Sequence, residues 1–330
     1  MNSFGRIFRI SIFGESHGES VGIVIDGCPA GLSLTVEDFL PDLERRKGGT
    51  QRGTTPRKEE DLPIFKSGIF NNKSTGAPIT ILFENKNIRS ADYERQRDVP
   101  RPGHADFVAK AKAGGFEDYR GSGHFSGRLT VALVAAGVIA KKLLNQIKVE
   151  SKILEIGGET DLDKGLQKAI DNKDSVGGII ECRVNGLPVG LGEPFFDSAE
   201  SLLSHILFAI PSVRGIEFGT GFAAAKMFGS QHNDAIENMQ GKTTTNHAGG
   251  VVGGLTNGNE LVFRIAIKPT SSTPKEQTTL NWETGKVETV SVKGRHDLCI
   301  ALRVPVILEA VTAIVLADLL LFEQKIKRVL

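Results

Sequence analysis

VALVAAGVIA, Val131–Ala140, decides the fold. It lies in a helix predicted from about Ser126 to Asn145, and it is apolar nearly all round rather than along one stripe. A helix of that kind has to be covered on both sides. The covering material is legible nearby: Phe8, Ile10 and Ile12 alternate with Arg9 and Ser11, and Val21–Asp26, Ile64–Gly68 and Ile79–Phe83 read as short strands. Val304–Phe322 is the longest apolar run, interrupted by Pro305, Glu309 and Asp318, and reads as a second buried helix rather than a membrane span.

The remaining layers come from an internal echo. GCPAGL at Gly27–Leu32 recurs as GLPVGL at Gly186–Leu191, each after a short strand and before a helix. The first of those helices has Thr35 as a candidate N-cap and runs to Arg46, although Pro41 is tolerated only in a first turn and argues for a later start. The second begins near Asp197 and carries Leu202, Leu203, Ile206, Leu207 and Ile210. TGAPITILFEN at Thr75–Asn85 is likewise echoed by NGNELVFRIAIKP at Asn257–Pro269. Two related halves, approximately 1–150 and 175–330, are expected to face one another within a single domain spanning 1–330. Between them Lys148–Gly178 is highly charged, with a short helix near Leu162–Ile170.

Composition bounds the function. The 330 residues are 40% hydrophobic and 24% charged, ordinary globular usage, and the net charge of +1 supplies no bulk field for nucleic acid. Cys28, Cys182 and Cys299 are odd in number, far apart and without zinc-ligand spacing, so a reduced cytoplasmic protein with no metal is expected. Arg6 and Arg9 inside the first apolar run argue against a secretory signal.

Chemistry is concentrated in glycine-rich turns. GESHG at Gly14–Gly18 ends the first strand and sets Ser16 and His17 between glycines, where a ligand can approach the backbone. Alone, that pair reads more readily as a structural turn with a hydrogen-bonded histidine. Arg45, Arg46, Lys47, Arg52, Arg57 and Lys58 crowd one loop, either a solvated basic surface or a pocket for phosphate or carboxylate. RPGHAD at Arg101–Asp106 repeats the histidine-on-a-turn pattern. DYRGSGHFSGRLT at Asp118–Thr130 opens the apolar helix with backbone N–H groups beside Arg120 and Arg128, an anion site without a Walker or dinucleotide fingerprint. NHAGG, KPTSS at Lys268–Ser272 and GRHD at Gly294–Asp297 complete the set. His205, His232, Trp282 and Tyr93 join no motif and are assigned to packing or surface.

In their order along the chain, GESHG, the Arg45–Arg52 loop, RPGHAD, DYRG with SGR, NHAGG, KPTSS and GRHD resemble the chorismate synthase family from end to end. The resemblance implies an α+β fold, a β-α-β sandwich with a central helical layer between antiparallel sheets, a pseudo-two-fold internal repeat and a homotetramer. It implies anti-1,4-elimination of phosphate from 5-enolpyruvylshikimate-3-phosphate to give chorismate, with reduced FMN and no net redox change. His17 would protonate the leaving phosphate, His104 would sit by the flavin, and Asp297 would relay the ring proton through flavin N5, with Ser16 and Ser126 in support. Arg46, Arg52, Arg101, Arg128 and Arg295 would hold phosphate and carboxylates; Arg46 and Arg52 are alternatively NADPH contacts. The flavin would touch His124, Phe125, Ser126, Pro211, Ser212, Gly253, Lys268, Pro269, Thr270, Ser271, Ser272 and Arg295. NADPH would serve flavin reduction, and an external flavin reductase is the expected source of reduced FMN. Where the family often has RSSAR, this chain has His124, Phe125, Ser126, Gly127 and Arg128, so flavin affinity is expected to depend on pH through His124. The competing reading, a phosphoryl-ligand or RNA-phosphate binding protein, uses the arginines without chemistry.

Overall fold

The computed structural model describes residues 1–49, 51–56, 59–87, 97–292 and 296–324. Arg295 of GRHD, Arg57 and Lys58 of the basic loop, and Tyr93 lie outside the described residues.

Strands β1 (Ser3–Phe4), β2 (Arg9–Gly14), β3 (Ser20–Asp26), β4 (Ile64–Ser67) and β7 (Ile79–Glu84) form one antiparallel sheet in the order β1-β2-β3-β7-β4, with a small hairpin of β5 (Ile69–Phe70) and β6 (Lys73–Ser74) beside it. Strands β8 (Lys148–Ile156), β9 (Gly178–Asn185), β10 (Val213–Phe218) and β13 (Leu261–Ile267) form a second in the order β10-β13-β9-β8. Two short hairpins, β11 (Val251–Val252) with β12 (Leu255–Thr256) and β14 (Gln277–Leu280) with β15 (Val287–Val290), stand apart. The helices are α1 (Leu40–Arg46), α2 (Asp106–Ala113), α3 (Thr130–Leu144), α4 (Leu162–Asp171), α5 (Ala199–Leu207), α6 (Gly229–His232) and α7 (Val304–Phe322).

Period-two patterning gives each sheet one apolar face. Val21, Ile23 and Ile25 of β3 pair with Phe83, Ile81 and Ile79 of β7, all fully buried. In the second sheet Ile180, Cys182 and Val184 of β9 pair with Ile265, Phe263 and Leu261 of β13. Helix α3 lies on β3 and β7, helix α7 lies on β8 and β9, and the two helices pack on each other. Each is therefore covered on both sides, as its all-round apolar sequence requires. Gly137 permits the contact: a Cβ there would sit 2.3 Å from the Ala310 Cβ. The sandwich is α+β, and α7, though long and apolar enough to span a membrane, is buried inside the protein.

The charges inside α7 have definite partners. Glu309 accepts from Arg45 Nη2 at 2.7 Å, Lys141 Nζ at 3.0 Å and Ser151 Oγ at 2.9 Å, tying α1, α3 and β8 to one carboxylate. Arg45 thus turns into the helical layer and leaves the basic loop's ligand chemistry to its neighbour. Asp318 accepts the backbone N–H groups of Arg6, Ile7 and Phe8 at 3.0, 2.7 and 2.8 Å and anchors the entry to β2.

Element boundaries follow the local chemistry. Val36–Asp38 forms a 3-10 turn and α1 starts only at Leu40, so Pro41 falls in its first turn. A 3-10 turn at Gly127–Leu129, with Ser126 as N-cap, precedes α3. The charged stretch after Lys148 holds a strand the composition hid: β8 alternates Val149, Ser151 and Ile153 with Lys148, Glu150 and Lys152.

Candidate active site

A cavity of about 820 Å³ opens between the N-terminal and C-terminal halves of the chain, from Ile12 of β2 to Ile307 of α7. Ile12, Leu133, Ile300, Val304 and Ile307 make part of it apolar. Seven Arg and Lys side chains face it against three carboxylates among the described residues, an excess that suits a multiply anionic ligand.

The GESHG turn delivers Ser16 and His17, both buried, to this cavity. Asn85, at the end of β7, holds the turn by donating its Nδ2 to Glu15 O at 3.0 Å and Gly18 O at 2.9 Å. The ring of His17 lies against Gly121, where a Cβ would come within 2.4 Å of its Cδ2 and 2.6 Å of its Nε2. Gly121 has φ +56°, so both conformation and close approach demand glycine. Ser16 Oγ is buried and finds no partner among the described residues, an orphan donor facing the space a ligand would fill.

Two guanidiniums form the next wall. Arg46 donates Nε to Thr130 Oγ1 at 3.0 Å, Nη2 to Gly127 O at 3.0 Å and Nη1 to Asp61 Oδ2 at 3.0 Å. Arg128 donates Nε to Asn85 Oδ1 at 2.9 Å, Nη2 to Glu84 O at 3.1 Å and Nη1 to the other oxygen of Asp61. Asn85 thereby couples the histidine turn to the arginine wall. Burial pushes the Arg46 guanidinium down to about 9, which leaves it charged at neutral pH. Burial would raise Asp61, but the two arginines overcome it and keep the carboxylate ionised.

The RPGHAD turn forms a separate cluster. Asp106 takes a fork from Arg101, Nε to Oδ2 and Nη2 to Oδ1 at 2.8 Å each, while Arg101 Nη1 reaches Ser272 Oγ at 3.1 Å across the halves. His104 Nδ1 stands 2.7 Å from Asp106 Oδ1 and 3.1 Å from Arg101 Nη2. The shorter contact fixes the tautomer: Nδ1 carries the proton to the carboxylate, and Nε2, 3.3 Å from Ser122 Oγ, keeps its lone pair. Burial, helped by the Arg101 and Lys268 cations, pulls the His104 imidazole below its ordinary value against the pull of Asp106. His104 is neutral at neutral pH.

Asp297 enters from the other half. Its Oδ1 accepts from Thr55 N at 2.8 Å and its Oδ2 from Arg303 Nη1 at 3.1 Å, while Arg303 Nε holds Arg46 O at 2.9 Å. Pro211, Ser212, Lys268, Thr270, Ser271 and Ser272 line the same cavity. Thr270 Oγ1 is a second buried hydroxyl without a partner among the described residues. His124, Phe125 and Ser126 line it too, with His124 Nδ1 2.8 Å from Gly14 O and Nε2 3.2 Å from Asn2 Oδ1.

Three expected site residues lie elsewhere. Arg52 bonds Gln167 on α4 at the surface, Gly253 sits at the turn between β11 and β12 with open space around it, and Pro269 is exposed; none lines the cavity. Arg52 sits six residues past the end of α1, so nothing in the helix fixes its direction. Conversely, sequence reasoning passed over Asp61, Asn85, Arg214 and Arg303. Asp61 sat in an acidic run resembling a solvated loop, Asn85 at a strand end, and Arg303 against an apolar helix, positions whose meaning depends on partners distant in sequence.

Fold and cavity define a class, an α+β protein with a cation-rich cavity that also holds imidazoles. The chorismate synthase family model matches residues 8–321. A chorismate synthase of Chitinophaga pinensis is 70% identical over 330 residues, covering 100% of this chain and 99% of that one, and one of Dehalococcoides mccartyi is 45% identical over 360 residues, covering 100% and 99%. A solved structure titled "Crystal Structure of Chorismate Synthase" superposes with a TM-score of 0.73 at 25% identity, covering 97% of this chain and 93% of that chain. The chain belongs to the chorismate synthase family, carbon–oxygen lyases of the shikimate route to aromatic amino acids.

Proposed function

We propose that the cavity carries out the anti-1,4-elimination of phosphate from 5-enolpyruvylshikimate-3-phosphate, releasing chorismate and inorganic phosphate. The reading rests on one observation: Ser16, His17, Arg46, Arg101, His104, Arg128 and Asp297, scattered over the chain, face a single cavity. In the elimination a ring C–H and the allylic C–O to phosphate break while a ring double bond forms. Arg46, Arg101 and Arg128 hold the phosphate and carboxylates as buried, prearranged donors. His17 gives its proton to the departing phosphate oxygen, and Ser16 Oγ donates to the same ligand. Asp297, held in place by Thr55 N–H and Arg303, takes up the ring proton. His104 offers Nε2 to the cavity.

Reduced FMN fits the remaining space. The orphan Thr270 hydroxyl, the cations of Lys268 and Arg214, and the apolar surface of Ile300, Val304 and Ile307 match a phosphate-bearing planar ring. When bound it supplies electron density to the allylic system. Pro211, Ser212, Ser271, Ser272, His124 and Phe125 are its proposed neighbours. NADPH acts only through flavin reduction, by an external reductase, and Arg46 serves substrate. The protein works as a cytoplasmic homotetramer.

The chain is also proposed to be one domain of two repeats. Its support is topological: β2, β3, β7 and β4 neighbour one another as β8, β9, β13 and β10 do, with α1 and α5, and α3 and α7, in matching places. On that match β8 belongs to the second repeat, so the junction falls near Ile147 rather than 175.

Anaerobic mixing of the protein with reduced FMN and 5-enolpyruvylshikimate-3-phosphate tests the reaction. Chorismate absorbance and phosphate should rise together in equal amounts. Binding without either product would leave a phosphoryl-ligand binding protein and end the proposal.

A further inference from the structure

Asp61 touches both buried guanidiniums of the anion wall, belongs to none of the glycine-rich motifs, and lines the cavity with almost none of its side chain accessible. Its backbone adopts φ +51°, a left-handed conformation uncommon outside glycine, asparagine and aspartate. The surrounding structure holds it there, and the reason is geometric. Oδ2 meets Arg46 Nη1 and Oδ1 meets Arg128 Nη1, so one carboxylate spans two forks. The other bonds to these forks come from neutral groups, Thr130, Gly127 and the Arg128 carbonyl for Arg46, and Asn85 and the Glu84 carbonyl for Arg128. Without Asp61 two like charges would stand side by side in a buried site with no shared counterion.

We propose that Asp61 is a positioning residue of the anion site, fixing Arg46 and Arg128 in one cavity-facing arrangement and leaving the trio with a single net positive charge for the ligand's phosphate or carboxylate. The same device recurs around the cavity. Arg101 is paired with Asp106 and Arg303 with Asp297, so each of these guanidiniums carries an internal counterion before any ligand arrives. Asp61 differs in serving two guanidiniums at once. Losing it should therefore disorder a wall rather than a single side chain. The inference rests on the cavity being the site for the phosphorylated substrate.

Asp61→Asn is the direct test, since asparagine accepts the left-handed backbone and keeps the shape while its amide turns a donor toward a guanidinium. With the full chain, inorganic phosphate binding is read by calorimetry and kcat and KM with reduced FMN. The expected result is a loss of at least about ten-fold in phosphate affinity, with a rise in KM and a fall in kcat as the preorganised wall loosens. Asp61→Gly also suits the backbone and leaves space for a small carboxylate; added formate, but not chloride, should recover part of the lost phosphate affinity. A folded Asp61→Asn protein with phosphate affinity and KM within about two-fold of the parent overturns the proposal. So does failure of both variants to fold, which would make Asp61 a structural ion. Phosphate binding is measured without turnover, so an absence of chorismate formation in the parent protein would refute the proposed reaction while leaving this result readable.

Discussion

The two walls of the cavity are built differently. On the first, Arg46, Arg101 and Arg128 are each at least 94% hidden, with relative exposures of 3%, 4% and 6%, and every guanidinium meets a carboxylate. On the second, Lys268 and Ser271 are partly exposed, sharing Gly103 O at 2.9 and 2.7 Å, while Arg214 is exposed and Thr270 Oγ1 has no partner among the described residues. The first wall is finished before a ligand binds. The second offers donors that a ligand must complete. Preorganised dipoles and charges favour the transition state because they need no rearrangement during the reaction, so the chemistry is expected on the first wall and cofactor retention on the second.

The contrast breaks most sharply if an arginine of the first wall is removed. Arg128→Ala leaves Asp61 and Arg46 to rearrange in a buried site and should cost about 3–5 kcal/mol, read as a lower urea midpoint, with turnover abolished. His17→Gln should leave folding intact and lower kcat by about 10²–10⁴-fold, because it removes the imidazole that moves the proton while keeping much of the side chain's bulk. Gly121→Ala pushes a methyl into the His17 ring at a left-handed backbone position; a loss of about 1–3 kcal/mol in stability together with reduced kcat is expected, measured by thermal unfolding and steady-state rates. A rate as fast as the parent's would show that the His17 ring position does not matter.

Acid should act through His104. Its folded value lies below the unfolded one, so the neutral ring contributes stability above the ordinary histidine value, and this contribution is lost as pH falls through the folded value. The rate should be flat near neutral pH and fall in acid, and His104→Asn should remove that limb. The smallest effect belongs to the second wall. Lys268→Ala should change stability by less than about 0.5 kcal/mol while weakening FMN binding, a split that titration of FMN against unfolding curves would reveal. His124→Arg sharpens this further: it removes the ring now held by Gly14 O and Asn2, and an unchanged pH profile of FMN binding would show that the histidine is a brace rather than a titrating contact.

Much of this was readable along the chain. Local patterns produced β3, β7, α4 and α7 nearly to the residue, and α3 at its C-terminal end but four residues early at its start, where Ser126 caps a 3-10 turn instead, because alternation and all-round apolarity each admit few alternatives. Both histidine turns were legible from their flanking glycines. Hidden from such reading were β8, masked by its charged outer face, and three residues whose role is to hold another: Asn85, which joins the GESHG turn to Arg128; Asp61, which joins Arg128 to Arg46; and Arg303, which joins Arg46 to Asp297.

The sequence by itself determined the apolar helices, the strands that cover them, the glycine turns and, through seven motifs in order, the family. Only the tertiary structure decided which charges meet. Arg45 and Arg46 are adjacent in the chain, yet the helical turn sends one to Glu309 in the helical layer and the other to Asp61 beside the cavity. Helix periodicity fixes the angle between neighbouring side chains, but the partner each one finds is set by how the sheets and helices pack, and that lies in contacts between segments far apart in the chain.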